Sequence, residues 1–424
     1  MGMGKKMKRN IVLLAASIIL GGSVIALSAR FLGLNSIMGD RRNIQNPNTN
    51  IIGIFPTSDG NKTGFLPEAL PNSPVEVQAA DTKDVKVKAV YLTGNSAGNK
   101  VFLDKVINII NSTELNAVVI DVKEDGKVNY ESNVGLAKET GAYTKLYDPD
   151  YVLKLLHDKG IYVIGRIVCF RDNYMAVKRP DLAIKKPDGS LWKENGVIGW
   201  TNPYIKEVWN YNIEIGKEAI DKGFDEIQFD YVRFPTANAA SVDYGQGVSE
   251  KADAISGFLK AASDEIGRKN VPVSADVFAI ICESPGDREG IGQVLERVGM
   301  DMNYISPMIY PSHYANNSKG MMGNGVGQII NDVLFTTPDL KPYDVVYNAL
   351  LKTKERISKV AGYKAKVRPY LQYFTATYLP KGYYQNYGPE QIKQQIKAVY
   401  DAGYEEWIFW DAGNRYKDIM FQKE

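Results

Sequence analysis

A short apolar run near the middle of the chain, Asp225-Glu-Ile-Gln-Phe-Asp230-Tyr-Val-Arg-Phe-Pro235, ends in a carboxylate, a guanidinium and a proline. Ile227 and Phe229 alternate with Gln228 and Asp230, so a strand here turns its polar residues to one side, and Pro235 lacks the donor that would extend it. Six other runs of strand length also deliver polar or aromatic residues at their ends. These are Asp121 and Glu124; Arg166, Arg171 and Asp172; Asp276; Tyr310 and His313; Gln372 and Tyr373; and Trp410, Asp411 and Asn414. Only two histidines, His157 and His313, are present, which leaves little from which to build a multi-histidine metal site or a Ser-His-Asp triad. Paired carboxylates suffice for cleaving a glycosidic bond, because one protonates the leaving oxygen while the other attacks or activates water.

Asp230 is the expected nucleophile and Asp276 the expected acid/base, with Arg166 or Arg233 as counter-charge. Asp121 and Asp411 are candidates for hydroxyl binding. Glu124, Arg166, Tyr231, Arg233, Tyr310, His313, Gln372 and Trp410 complete the expected substrate-binding set. Each has a plainer reading: a lone strand-end carboxylate caps the next helix or pairs with an arginine, and a lone aromatic belongs to a core. Convergence on one rim is what separates the two.

The elements that must bring about this convergence alternate along the chain. Strands are expected over 88–93, 117–124, 162–170, about 225–230, 272–280, 304–310, 367–374 and 406–411. Helices are expected over about 100–110, 148–159, 203–222, 249–269, 343–360 and 389–402. Asp148-Pro149 opens one helix as a cap and first-turn pair, and Gly160 and Gly223 stop two of them. Strand–helix alternation implies a parallel sheet, and eight strands fit a closed (β/α)8 TIM barrel whose reacting groups sit at the carboxyl ends. A short last helix over 414–424 suggests imperfect closure there, or closure helped by the preceding tether. Neighbouring strands run about 4.8 Å apart, so Asp230 and Asp276 can approach the roughly 5 Å carboxyl separation of retaining glycosidases. No glycine-rich phosphate loop follows any strand, which removes nucleotide binding from the leading readings.

The chain has 424 residues, 44% hydrophobic and 24% charged, enough for one large domain with appendages. Lys+Arg 51 against Asp+Glu 49 leaves a net charge of +2, too little to hold nucleic acid by its field. Cys169 and Cys282 stand apart in apolar contexts and read as buried free thiols. Lys5, Lys6, Lys8 and Arg9 precede an uncharged run from Ile11 to about Ala29, which has the length and flanks of a membrane-spanning helix. Residues 1–30 are therefore read as a cytoplasmic basic flank and signal anchor, 31–84 as a linker rich in Asn, Pro, Gly, Ser and Thr, and 85–424 as the barrel, outside the membrane. Small residues at Ala26 and Ser28 leave cleavage open. The partners expected are an oligo- or polysaccharide and, through the leader, the membrane; no cofactor, no metal and no nucleic acid are expected, and oligomeric state is left open.

KAVYLTG, VVIDVKEDG, IGRIVCFRD, FDEIQFDYVRFP, SADVFA and YISPMIYPSHY together resemble a bacterial family assigned as glycoside hydrolases, with a barrel distantly similar to alpha-amylases and alpha-galactosidases. The resemblance spans about Val85 to Asn414. It implies a nucleophilic Asp closing strand four, hence Asp230. The alpha-amylase pattern places an Arg two residues earlier and a Glu acid on strand five, where this chain has Gln228 and Asp276. Set against the chitinase pattern DxxDxDxE, Val232 stands where the catalytic Glu would be, which disfavours substrate-assisted chemistry. The rival readings are a carbohydrate-binding barrel without turnover, a metal-assisted hydrolase using Asp121, Glu124 and Asp172, and a structural envelope protein.

Overall fold

A computed structural model describes residues 85–245, 249–314 and 328–422. Eight strands, β1 Lys88–Leu92, β2 Ala117–Glu124, β3 Tyr162–Val168, β4 Glu226–Asp230, β5 Val273–Phe278, β6 Tyr304–Ile309, β7 Tyr370–Gln372 and β8 Trp407–Trp410, pair in parallel in chain order. The ring closes because β1 pairs with both β2, Ala89 opposite Ala117, and β8, Lys88 opposite Trp407. Closure is thus made by the sheet itself and is regular, in place of the imperfect join expected. Among the helices between strands are α1 Lys100–Asn111, α2 Pro149–His157, α3 Lys206–Lys222, α4 Lys251–Gly267, α5 Leu295–Val298, α6 Pro342–Ile357 and α7 Pro389–Asp401. Asp148 caps α2 by accepting from the Asp150 and Tyr151 amides, and Gly223, at φ 108°, ends α3 in the left-handed region.

Period-two alternation decides what lines the barrel. Ile227 and Phe229 of β4 join the apolar layer under the helices, while Glu226, Gln228 and Asp230 turn inward and stack as three polar tiers. At the bottom, Glu226 pairs with Arg368, whose side chain is wholly buried, and accepts from Ser274 Oγ. In the middle, Tyr370 donates to Gln228 Oε1 at 2.6 Å and Gln228 donates to Ser306. The top tier carries Asp230. A polar interior of this kind packs uniquely only if its members satisfy one another.

Two expected elements differ. Strand seven is broken into Lys366–Val367 and Tyr370–Gln372, because Pro369 supplies no ladder donor. The helix expected over 414–424 is only a 3₁₀ turn, Asp418–Met420; Phe421 instead stacks on Trp407 and packs against Phe409 and Tyr373, covering the outer face where a helix would lie. Among the described residues no helix is long and apolar enough to cross a membrane. The anchor and linker expected over 1–84 lie outside the described residues.

Candidate active site

The carboxyl ends of β2 to β5 place four acidic side chains and one arginine together. Asp121 sits opposite Arg166 in the β2–β3 register, and Asp230 and Asp276 each follow the paired residues Phe229 and Ala275. Arg166 is the hub. Its Nη1 donates to Asp121 Oδ1 at 2.6 Å and Glu124 Oε2 at 2.7 Å; its Nη2 and Nε donate to Asp230 Oδ2 at 2.6 and 3.0 Å; Asp276 Oδ2 lies 4.0 Å from Nε. The Asp230 and Asp276 oxygens therefore both lie within 4.0 Å of one nitrogen, a spread compatible with the roughly 5 Å carboxyl gap of retaining enzymes. Both sit deep on the same rim, 6% and 1% exposed. The other Asp230 oxygen accepts from the Tyr231 amide at 2.5 Å, and Tyr231 holds a φ of 50° to make that contact. A tyrosine in the left-handed region is strained, and such strain persists where the surroundings fix it.

The environments of these carboxyls differ in kind. Asp276 Oδ1 is sealed and has no hydrogen-bond partner; burial, followed by the negative charge of Asp230, pushes its carboxyl well above the usual range despite Arg166. Burial also raises Asp121, to about 7, with Arg166 opposing and Glu124 adding to the rise. Tyr91 donates to Asp121 Oδ2 at 2.5 Å. A buried carboxyl that keeps its proton near neutrality is fit to donate it.

The sign of the pH dependence follows. Groups raised in the folded state add stability that is complete below their unfolded value, about 3.9 for Asp, and lose it as pH rises through the folded value. For Asp121 that window runs from there up to about 7. The thermal midpoint is expected to fall as pH rises across this window, and Asp121→Asn is expected to flatten the fall; equal slopes in unfolding scans of the two proteins would contradict it.

An aromatic wall borders the acids. The Trp410 ring stacks between Tyr310 (5.9 Å, 29°) and Tyr91 (6.2 Å, 30°), with Phe374 edge-on at 5.5 Å. His313 meets Tyr310 edge-on at 4.9 Å, and burial lowers its imidazole to about 4. Trp410 remains half-buried, so this wall can offer a face to a sugar ring.

Other expected residues are engaged elsewhere. Gln372 anchors the loops by accepting from Ser312 and donating to Asp339. Asp411 is held by three contacts from Arg415. Arg233 forms no ion pair with Asp230; among the described residues Arg166 alone does so. Asp172, the third member of the metal-assisted rival, turns away to pair with buried Lys123 at 2.7 Å and to cap the helix Asn173–Lys178. Among the described residues no three His, Cys, Asp or Glu side chains form a metal-holding group. Tyr91 and Phe374 were missed. Tyr91 shares the inward face of β1 with Ala89, a signal the alternation of KAVYL contains; Phe374 shares the parity of Gln372 in the expected strand, although β7 ends at Gln372.

Residues 89–416 match the family described as "Putative glycosyl hydrolase domain". The chain belongs to this glycosyl hydrolase family. The motif resemblance noted in the sequence therefore holds, over nearly the same span. A hypothetical protein from Ruminiclostridium thermocellum is similar at 45% identity, covering 44% of this chain and 97% of its own, with a TM-score of 0.41. The PgaB (BpsB) glycoside hydrolase domain from Bordetella bronchiseptica, at 11% identity, covers 80% of this chain and 99% of its own with a TM-score of 0.55, a likeness of fold. An alpha-galactosidase from Thermus thermophilus in complex with stachyose matches at 12% identity over 77% of this chain and 61% of its own, TM-score 0.45. No curated protein matches the chain.

Proposed function

We propose that the protein is a glycosidase that cleaves a cell-envelope or environmental polysaccharide with retention of anomeric configuration. Asp230 attacks the anomeric carbon and Asp276 first protonates the leaving oxygen, then deprotonates the incoming water. The observation that carries this reading is the asymmetry of the two neighbouring carboxyls: Asp230 is gripped by the Arg166 guanidinium, while Asp276 has one oxygen without a partner, the other only 4.0 Å from Arg166, and is pushed toward its protonated form. Two carboxyls with environments pushed apart divide naturally into nucleophile and acid. Arg166 holds the nucleophile and is itself held by Asp121 and Glu124; Asp121, Tyr91 and Glu124 meet sugar hydroxyls, and the Trp410 wall takes the ring face. Residues 1–30 would tether the barrel to the outer side of the cell membrane, or direct its secretion if the leader is cut.

Product formed from a substrate of known anomer is expected to appear first with that same anomer in a proton NMR time course; initial appearance of the opposite anomer would indicate inversion and remove the nucleophile assignment. A second reading, a carbohydrate-binding barrel without turnover, is favoured by the low exposure of Asp230 and Asp276, 6% and 1%. Screening a glycan library for hydrolysis and for binding separates the two.

A further inference from the structure

Beside the catalytic cluster, the chain that leaves β4 carries a second, differently charged feature. Arg233 is 4% exposed, and no carboxylate among the described residues pairs with it. Its guanidinium instead lies in a cage of aromatic faces, 4.5 Å from the Phe278 ring centroid, 4.9 Å from Trp200 and 5.2 Å from Tyr231. One hydrogen bond, Nη1 to the Phe234 carbonyl at 2.9 Å, is its only polar contact among them. A guanidinium is a fork of several donors, and none of the remaining Arg233 nitrogens is among the atoms that are both sealed from water and unpartnered. They therefore retain a trace of accessible surface. Arg171 also lies over Tyr231, at 5.2 Å, and is half-satisfied by Glu194 at 3.0 Å. The Tyr231 ring thus lies against two guanidinium groups, one of them paired with Glu194, with Asp230 and Glu124 also near enough to act on its hydroxyl.

We propose that Arg233 is the anion-recognising residue of a subsite next to the catalytic carboxyls, and that the polysaccharide carries a negatively charged substituent, a uronate-type carboxylate or a phosphate ester, placed on it. A buried cation with no counter-ion is costly to maintain. Aromatic faces offset part of that cost, and a bidentate carboxylate or phosphate oxygen pair supplies the rest in the geometry the planar fork prefers. The plainer role, a loop tie through one carbonyl, leaves the other donors idle. A charged substituent held on Arg233 would fix the direction in which a chain lies across the neighbouring acids. The substrate class rests on the glycosidase reading above; the anion site does not.

The test reads binding. Unfolding midpoints of the full protein are measured with sodium glucuronate, methyl phosphate and glucose, each against sodium chloride of matched ionic strength. At about a tenfold excess over the dissociation constant, at least one anion is expected to raise the wild-type midpoint by about 2 °C, with glucose inert. Arg233→Met is expected to remove that rise. A response to glucuronate alone points to a uronate, and to methyl phosphate alone to a phosphate ester. If Arg233→Met does not fold, Arg233→Lys keeps the charge while losing the planar fork and is expected to halve the effect. No anion response in the wild type, or an undiminished response in the variant, overturns the proposal. A protein that shows the anion response and hydrolyses nothing removes the glycosidase reading and leaves this one in place.

Discussion

Asp230→Asn is expected to abolish hydrolysis, by about a thousandfold or more, while affinity for a bound glycan changes little. The amide is nearly isosteric and its one carbonyl oxygen still accepts from the Arg166 fork, while its NH2 group gives up the contact from the Tyr231 amide; the side chain is no nucleophile. Two details sharpen the expectation. The Asp230 side chain is fixed from both oxygens, by Tyr231 N on one and two Arg166 nitrogens on the other, so the variant has little freedom to reorient. Its neighbour Asp276 is raised partly by the charge of Asp230, so removing that charge is expected to lower the Asp276 carboxyl and let it ionise more readily. Initial rates on the best substrate from a glycan screen, with dissociation constants measured in parallel, check this. Unchanged turnover would dismiss Asp230 as the attacking group.

Arg166→Met is the second large effect, and it joins stability to function. The Arg166 side chain is 9% exposed and lies against Asp121, Glu124 and Asp230 at 2.6 to 2.7 Å. Breaking such a buried array leaves acids facing one another without a cation, which costs about 3–5 kcal/mol. Urea unfolding at neutral pH is expected to show that loss, with part of it recovered near pH 5, an estimate set by protonation of raised carboxyls below their folded values. Turnover should fall by roughly a hundredfold or more, because the nucleophile loses the groups that orient it. Arg166→Lys is expected to restore little, since a single ammonium cannot span carboxylates on three strands as the planar fork does. A variant as stable and active as the parent would show that the array is incidental.

Much of this site was legible in the sequence because strand periodicity is strict. Once AVVIDVKE, YVIGRIV and FDEIQFD are taken as strands, Asp121, Arg166 and Asp230 must share an inward face, and the barrel brings those faces to one mouth. What the pattern could not give was partnership. Arg166 and Arg233 both lie close to Asp230 along the chain or sheet, and only coordinates show that Arg166 alone makes the ion pair while Arg233 retires among aromatic rings. Gln372 and Asp411 likewise end strands, but Gln372 is engaged by loop residues distant in sequence, Ser312 and Asp339, and Asp411 by Arg415 four residues on. The final turn misled for a different reason. Residues 414–424 look helical in composition, yet β8 needs an aromatic cover, and the burial of Met420 and Phe421 decides the conformation.

The division of labour between Asp230 and Asp276 is tested most directly by trapping. Incubating the wild-type protein with a panel of activated 2-deoxy-2-fluoro glycosides slows release of any glycosyl-enzyme, so that intact mass and peptide mapping can locate the adduct. The account predicts one added sugar, as an ester on Asp230, and none in Asp230→Asn. An adduct on Asp276, Glu124 or Asp121, or turnover of a panel member with inversion and no adduct, would contradict it.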